Sequence, residues 1–266
     1  MNIDELKSHA RVARRDIVTI IYESGIGHPG GALSIIDILT WIYHEEVRLN
    51  ETPRARVVMS KGHAVAAQYA MLYQLGKISR SEFSTFRQIN SRLQGHPSVK
   101  SLPDVDATTG LLGQGLSIAL GMAAAKNRAG DPNRVFAIIG DGEMHEGQIW
   151  ESLQQAAHMR MDNLVAIIDY NGFSSHDPVN DVINLEPLAD KIRNFGWHVL
   201  ELQDGNNMRQ VADTLQLSRY LKGKPVAIIA RTTKGSGVSY MENNGEWHSK
   251  TPSAEQYQQA MEELQS

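Results

Sequence analysis

The stretch VFAIIGDGEMHEGQIWESLQQAAHMRMDNLVAIIDYNG, residues 135–172, limits the possible folds more than any other. Two short apolar runs, at 134–139 and 164–169, flank a segment of helical length at 146–159. Neither run alternates apolar with polar residues. Each therefore reads as a strand buried on both faces, as a parallel sheet covered by helices requires. VAIIAR near 225–231 has the same character. The remaining pattern predicts helices over 4–23, 33–47 and 64–75, a capped helix near Ser81, and helices over 114–129, 188–194 and 207–221. It adds strands at 57–60 and 197–202, with a last helix closing the chain. Strands alternating with helices give an α/β fold with a parallel central sheet and helices on both faces.

Parallel strands end on the same edge of their sheet, and α/β proteins place ligands there. Asp141 follows the first run and Asn171 the second, one βαβ unit later. The unit thus brings a carboxylate and an amide oxygen together at the ligand edge. Hard oxygen donors of this kind suit Mg²⁺ or Ca²⁺ and not zinc. Two side chains cannot enclose such an ion, and Mg²⁺ commonly completes its shell with water and phosphate oxygens. The pair therefore predicts a phosphate-bearing ligand. Gly140 and Gly142 let the backbone approach it, and a helix beginning near Glu146 offers N–H groups and a favourable dipole. GDG alone is a common turn; it gains meaning from the helix after it and the D-x-N-G that ends the second strand.

Other classes are excluded more simply. The 266 residues contain no cysteine, which removes thiolate catalysis, cysteine-ligated metal and disulfides, and agrees with a cytoplasmic setting. Net charge is −4 without a basic stripe, so no nucleic acid partner is expected. The N-terminal helix carries charges throughout and contains no membrane span or signal core. No repeat or Pro/Gly/Ser-rich linker divides the chain, so residues 1–266 are expected to form one domain. The stretch 91–115, with GHPS, DATTG and LLGQG, is a long loop of the kind that is usually functional.

Several segments together resemble the thiamine diphosphate enzymes, and among them the transketolase family. SGIGHPGG, MSKGHA, LQGHP, ATTGLLGQGLSIALGMA, GDGEMHEG, IDYNG, and RTTKGSG followed by EWHSK occur in the family's order between about residues 10 and 252. The resemblance implies the thiamine diphosphate-binding fold. It implies that Asp141, Asn171 and the backbone carbonyl of Phe173 ligate Mg²⁺ (or Ca²⁺). Gly140, Gly142 and Glu143 of the diphosphate motif, with Lys234, are implied to lie against the cofactor; Lys61 lies in a motif near the phosphates. Gly110 and Leu112 are implied to touch the thiamine rings, although Leu111 stands where the family usually has proline. His28, His63, His96 and His248 are implied to contact substrate and cofactor. Glu146 matches an acid that links two cofactor sites across a dimer, and it equally suits an ordinary helix N-terminal acid. His9, His44, His145, His158, His176 and His198 lack such context and read as structural or surface residues. The segment SSHDPVND departs from the family's usual D-G turn.

Transketolases join three domains, and this chain resembles the first. The resemblance thus implies the N-terminal subunit of a split transketolase, transferring a two-carbon ketol unit between sugar phosphates. Its partner would be a C-terminal subunit carrying the pyrimidine-binding and C-terminal domains, in a heterotetramer. The activating glutamate and the arginines that grip the sugar phosphate would belong to that partner. A specialised sugar pathway, such as one for apulose phosphate or a sulfonated sugar, fits a split enzyme. The alternatives are one component of another split thiamine diphosphate enzyme (a 2-oxoacid dehydrogenase or a deoxyxylulose-phosphate-synthase-like protein) and a non-catalytic cofactor-binding regulatory subunit. The histidine loops argue against the dehydrogenase, and the point where the chain stops argues against the synthase. Intact Asp141, Asn171 and four loop histidines argue against the regulatory subunit.

Overall fold

The computed structural model describes residues 1–265; Ser266, the last residue of the expected domain, lies outside them. Helix α1 (Ile3–Ser24) starts at a capping box between Asn2 and Glu5 and stops at Gly25, whose φ of 71° a side chain would resist. Helix α2 (Pro29–Glu45) begins four residues before the predicted start. Pro29 sits in its first turn, where a fixed φ and a missing N–H cost nothing. Strand β1 (Arg56–Met59) leads through a 3₁₀ turn into α3 (Val65–Gln74).

The capped helix expected near Ser81 is a correction. Ser79 and Glu82 do form a capping box, but only a 3₁₀ segment, Arg80–Thr85, follows. Phe83 and Phe86 are both buried, and residues three apart share a face in 3₁₀ geometry. Phe86 then turns extended and Arg87 takes a φ of 64°, which ends the helical path. The long loop at 91–115 contains no regular element before α4 (Gly115–Arg128).

Next come β2 (Val135–Gly140), α5 (Gly147–His158) and β3 (Leu164–Tyr170). A short hairpin that the sequence pattern did not predict follows: β4 (Phe173–Ser174) pairs antiparallel with β5 (Asp177–Pro178). One helical turn, α6 (Val179–Val182), continues from it. Then come α7 (Leu188–Asn194), β6 (His198–Leu202), α8 (Met208–Ser218), β7 (Val226–Arg231) and α9 (Ala254–Glu263).

Five strands form one parallel sheet in the order β1-β2-β3-β7-β6. Alternate residues feed two cores. Phe136, Ile138, Val165, Ile167 and Ile228 pack with the apolar faces of α1, α2, α3 and α8. Ala137, Ile139, Ala166, Ile168 and Ile229 pack with α4, α5 and α7 on the other side. Both faces of β2 and β3 are buried, which explains why their sequences lack alternation. No helix of the described residues is long and apolar enough to cross a membrane.

Candidate cofactor site

Strands β2 and β3 run in register, with Gly140 opposite Asp169, so Asp141 and Asn171 emerge side by side at the carboxyl edge. Both line a cavity of about 260 Å³. Its wall also holds Gly140, Gly142, Glu143, Phe173, Leu112, Lys234, His63 and His248, all singled out from sequence, together with Lys61.

Asp141 is 1% exposed. One carboxylate oxygen accepts the Gly142 N–H at 2.8 Å and the other the Gly172 N–H at 2.6 Å. Burial, and next the nearby Asp169 carboxylate, push its pKa up to about 7. A cation beside it would offset that penalty. Asn171 is oriented from both ends: its amide nitrogen donates to Asp169 at 3.2 Å, while its Oδ1 accepts the Phe173 N–H at 3.1 Å. Among the described residues no three His, Cys, Asp or Glu side chains gather into a metal cage. A hard cation at Asp141 and Asn171 would need backbone, water or ligand oxygens for the rest of its shell, which fits Mg²⁺. The N–H groups that Asp141 accepts come from Gly172, after β3, and from Gly142, at the start of a 3₁₀ turn (Gly142–His145), and not from α5 as the sequence implied. Gly142 is needed there: a Cβ would lie 2.8 Å from Ser174 Oγ and 3.0 Å from its Cα.

Beneath this edge lies a network that the sequence motifs do not reveal. Asp169 is fully buried and accepts from Ser34 Oγ at 2.6 Å, from Thr232 Oγ1 and from Lys61 Nζ. Lys61 also donates to the Gly31 carbonyl at 2.7 Å, so it ties α2 to the sheet edge. The available signal was an acid inside the apolar run LVAIID, since a buried charge needs partners. Glu143 is likewise turned inward. Its carboxylate accepts from Ser60 Oγ, Gly113 N–H at 2.9 Å and Gly140 N–H at 3.2 Å. Burial raises its pKa. It braces the site's walls and uses its acceptors in doing so.

Lys234 is 2% exposed, with its pKa lowered to about 8 by burial and then by Lys61. Nζ donates to the Ser175 carbonyl at 3.0 Å and lies 3.4 Å from His248 Nδ1. A protonated amine only donates, so that contact makes Nδ1 an acceptor and leaves the His248 proton on Nε2.

His28, His63 and His248 form a triangle with ring centroids 5.1–5.4 Å apart. All three are neutral near pH 7. Burial and then Arg87 lower His28 to about 4; burial and then Lys234 lower His248 to about 3. Burial and then Lys61 hold His63 well below its ordinary value. His28 Nδ1 is buried with no hydrogen-bond partner, so it retains binding capacity. His96 packs behind Gly110, where a Cβ would lie 2.9 Å from the His96 ring and φ is 135°. Burial, followed by Arg87, lowers the His96 pKa. Gly110 thus supports the imidazole; the neighbouring Leu111 and Leu112 are 73% and 39% exposed. Glu146 lies outside the cavity, exposed at the N-cap of α5 and making no capping hydrogen bond.

His176 is exposed, in keeping with its reading as a structural or surface residue, and its ring meets that of His248 edge-on at 5.4 Å. Three others of that group sit apart from the site: His9 packs against His44 with ring centroids 4.2 Å apart, and His145 bonds to the Ile183 carbonyl.

A family model described as the thiamine diphosphate binding domain of transketolase matches residues 5–265. The chain is 39% identical to one of the apulose-4-phosphate transketolase subunits of Phocaeicola vulgatus, over 99% of this chain and 95% of that one. It is 36% identical to the 6-deoxy-6-sulfo-D-fructose transketolase subunit SqwG of Clostridium sp., over 98% and 96%. Among solved structures, transketolase from Campylobacter jejuni superposes with a TM-score of 0.93 at 30% identity, covering 99% of this chain and 43% of that one. The chain therefore spans less than half of that solved transketolase, and nearly all of the two subunits.

Proposed function

The chain belongs to the transketolase family through its thiamine diphosphate binding domain, and on that premise we propose that it is the diphosphate-binding subunit of a split transketolase. The assembled enzyme would transfer a two-carbon ketol unit from a ketose to an aldose. The observation that carries this reading is the pairing of buried Asp141 with Asn171 at adjacent strand ends, in one cavity with Lys234, His63 and His248. The near-complete match to two proteins named as transketolase subunits supports the split arrangement.

Asp141, Asn171 and the Phe173 carbonyl would hold Mg²⁺, and the Gly142 turn and Lys234 would hold the diphosphate. When bound, thiamine diphosphate supplies the nucleophilic carbon that takes up and delivers the two-carbon unit. Three neutral imidazoles, His28 among them with its Nδ1 unpaired, suit hydrogen bonding to sugar hydroxyls and stabilisation of a developing alkoxide. His96, at the loop side, would extend those contacts along the sugar. Glu146, exposed beside the Gly113 backbone, is free to meet a second copy and so to link two cofactor sites. The partner would supply the pyrimidine-binding and C-terminal domains in a heterotetramer, in the cytoplasm, with all of residues 1–266 acting as one domain.

The two similar subunits are named for an apulose phosphate and a sulfonated fructose. We infer a donor of that class, a ketose with a phosphate or sulfonate terminus. The test is an assay of the co-expressed pair on a panel of phosphorylated and sulfonated ketoses. Two-carbon transfer from at least one is the predicted result. No transfer from any donor, with thiamine diphosphate and Mg²⁺ bound, would remove the transketolase activity.

A further inference from the structure

We propose that His176 is a positioning residue that locks the His248 turn to the hairpin following the metal-ligating loop; this rests on the functional reading above. Three contacts build the lock. The imidazole of His176 stands edge-on to His248, with centroids 5.4 Å apart and planes at 62°. The Lys234 ammonium bridges the same two segments, reaching the Ser175 carbonyl at 3.0 Å and His248 Nδ1 at 3.4 Å. Gly245, in the turn Gly245–His248, lies against the His176 backbone so closely that a Cβ there would overlap the His176 carbonyl oxygen and lie 2.8 Å from its carbonyl carbon.

Apart from the packing of Ser174 against Gly142, the hairpin is held mainly by these contacts. Strands β4 and β5 pair over two residues each, and the tip residue Ser175 has a φ of 58°. Ser175 Oγ lies 2.9 Å from His176 Nδ1, which orients the ring and leaves Nε2 unused. On the other side, Phe173 N–H is held by Asn171 Oδ1 at 3.1 Å. A chain of contacts thus runs from Asn171 through the hairpin to the exposed His176 and on to His248. Filling the cation site would restrain Asn171 and Phe173 directly, and His176 would carry that restraint to the His248 ring.

Edge-on aromatic pairs contribute modestly, so the effect should be one of orientation and not of folding. In the assembled enzyme, His176→Ala should lower kcat about tenfold with KM for the donor changed less than about threefold. His176→Phe keeps the ring edge and should recover most of the rate. Gly245→Ala displaces the same contact from the opposite side, so its loss should not add to that of His176→Ala in the double variant. A readout free of turnover is the proton-carbon NMR signal of the His248 ring in the folded chain. It should shift in His176→Ala and, with Mg²⁺ and thiamine diphosphate added, respond less than in the wild type. An active wild-type pair with His176→Ala equal to it in kcat, or additive losses in the double variant, would overturn the inference. An inactive wild-type pair would overturn the functional reading and this inference together, while an unshifted His248 signal would overturn this inference alone.

Discussion

Asp141 carries a charge that its surroundings oppose. It is buried, Asp169 lies near, and two backbone N–H groups together with the Lys61 charge offset only part of that penalty. A buried carboxylate of this kind persists where a cation is to be bound. Asn171 contributes a neutral dipole whose direction Asp169 and Phe173 set from both ends. The two substitutions therefore differ. Asp141→Ala should weaken thiamine diphosphate binding on the order of 100-fold and Asn171→Ala about tenfold, within the range that ligand and supporting-shell losses span. Calorimetric titration of the cofactor at fixed Mg²⁺ measures both in the assembled enzyme. Unchanged affinity in the Asp141 variant would take that residue out of the site. Residue types and spacing were enough to find this pair, because a βαβ unit converts spacing into proximity. They did not reveal Glu143 as a brace or His176 as a neighbour of His248, since both depend on which way a side chain turns after the backbone has folded.

Helix α4 shows how closely the elements around the site are packed. Gly115 opens the helix against Ser60, at the end of β1: a Cβ there would overlap the Ser60 side chain and lie 2.6 Å from its Cα. Ser60 in turn donates to Glu143, so the helix start, the strand end and the brace move together. Gly121, further along the helix, is exposed and a Cβ would meet nothing within 4 Å. Gly115→Ala should destabilise the chain by about 1–3 kcal/mol through overpacking. Gly121→Ala should stabilise it by about 0.5–1 kcal/mol by removing backbone freedom from the unfolded chain. Chemical denaturation distinguishes them, and effects of the same sign would contradict the packing described. The long elements were legible in the sequence: β2, β3, β7, α1, α4 and α5 fall within a residue or two of their expected bounds. Their burial pattern decides their type. The short ones were not. The hairpin at 173–178 and the 3₁₀ turns at 80–85, 142–145 and 245–248 contain too few residues for a period to show. Tertiary contacts fix them instead: Phe83 and Phe86 in the core, Gly142 against Ser174, Gly245 against His176.

At the scale of the whole molecule, one sheet edge gathers everything this chain offers a cofactor. The carboxylate and amide come from β2 and β3, the ammonium from the segment after β7, and the imidazoles from loops before α2, before α3 and before α9. On the proposed function, these groups would address a diphosphate, a metal and sugar hydroxyls. Leu111 is 73% and Leu112 39% exposed beside them; on the proposed split arrangement the partner subunit would cover them. The parallel topology was readable from the apolar runs, but the strand order was not, because β7 enters between β3 and β6 through contacts distant in sequence. The central claim is that this chain is one half of a two-part transketolase site. The most direct measurement is two-carbon transfer from a single ketose donor by the purified chain, before and after adding a separately purified pyrimidine-domain subunit, with thiamine diphosphate and Mg²⁺ present throughout. The predicted result is no turnover by the chain alone and turnover once both are mixed, saturating at equal amounts of the two. Robust turnover by the chain alone, or none when both are present and cofactor is bound, would contradict it.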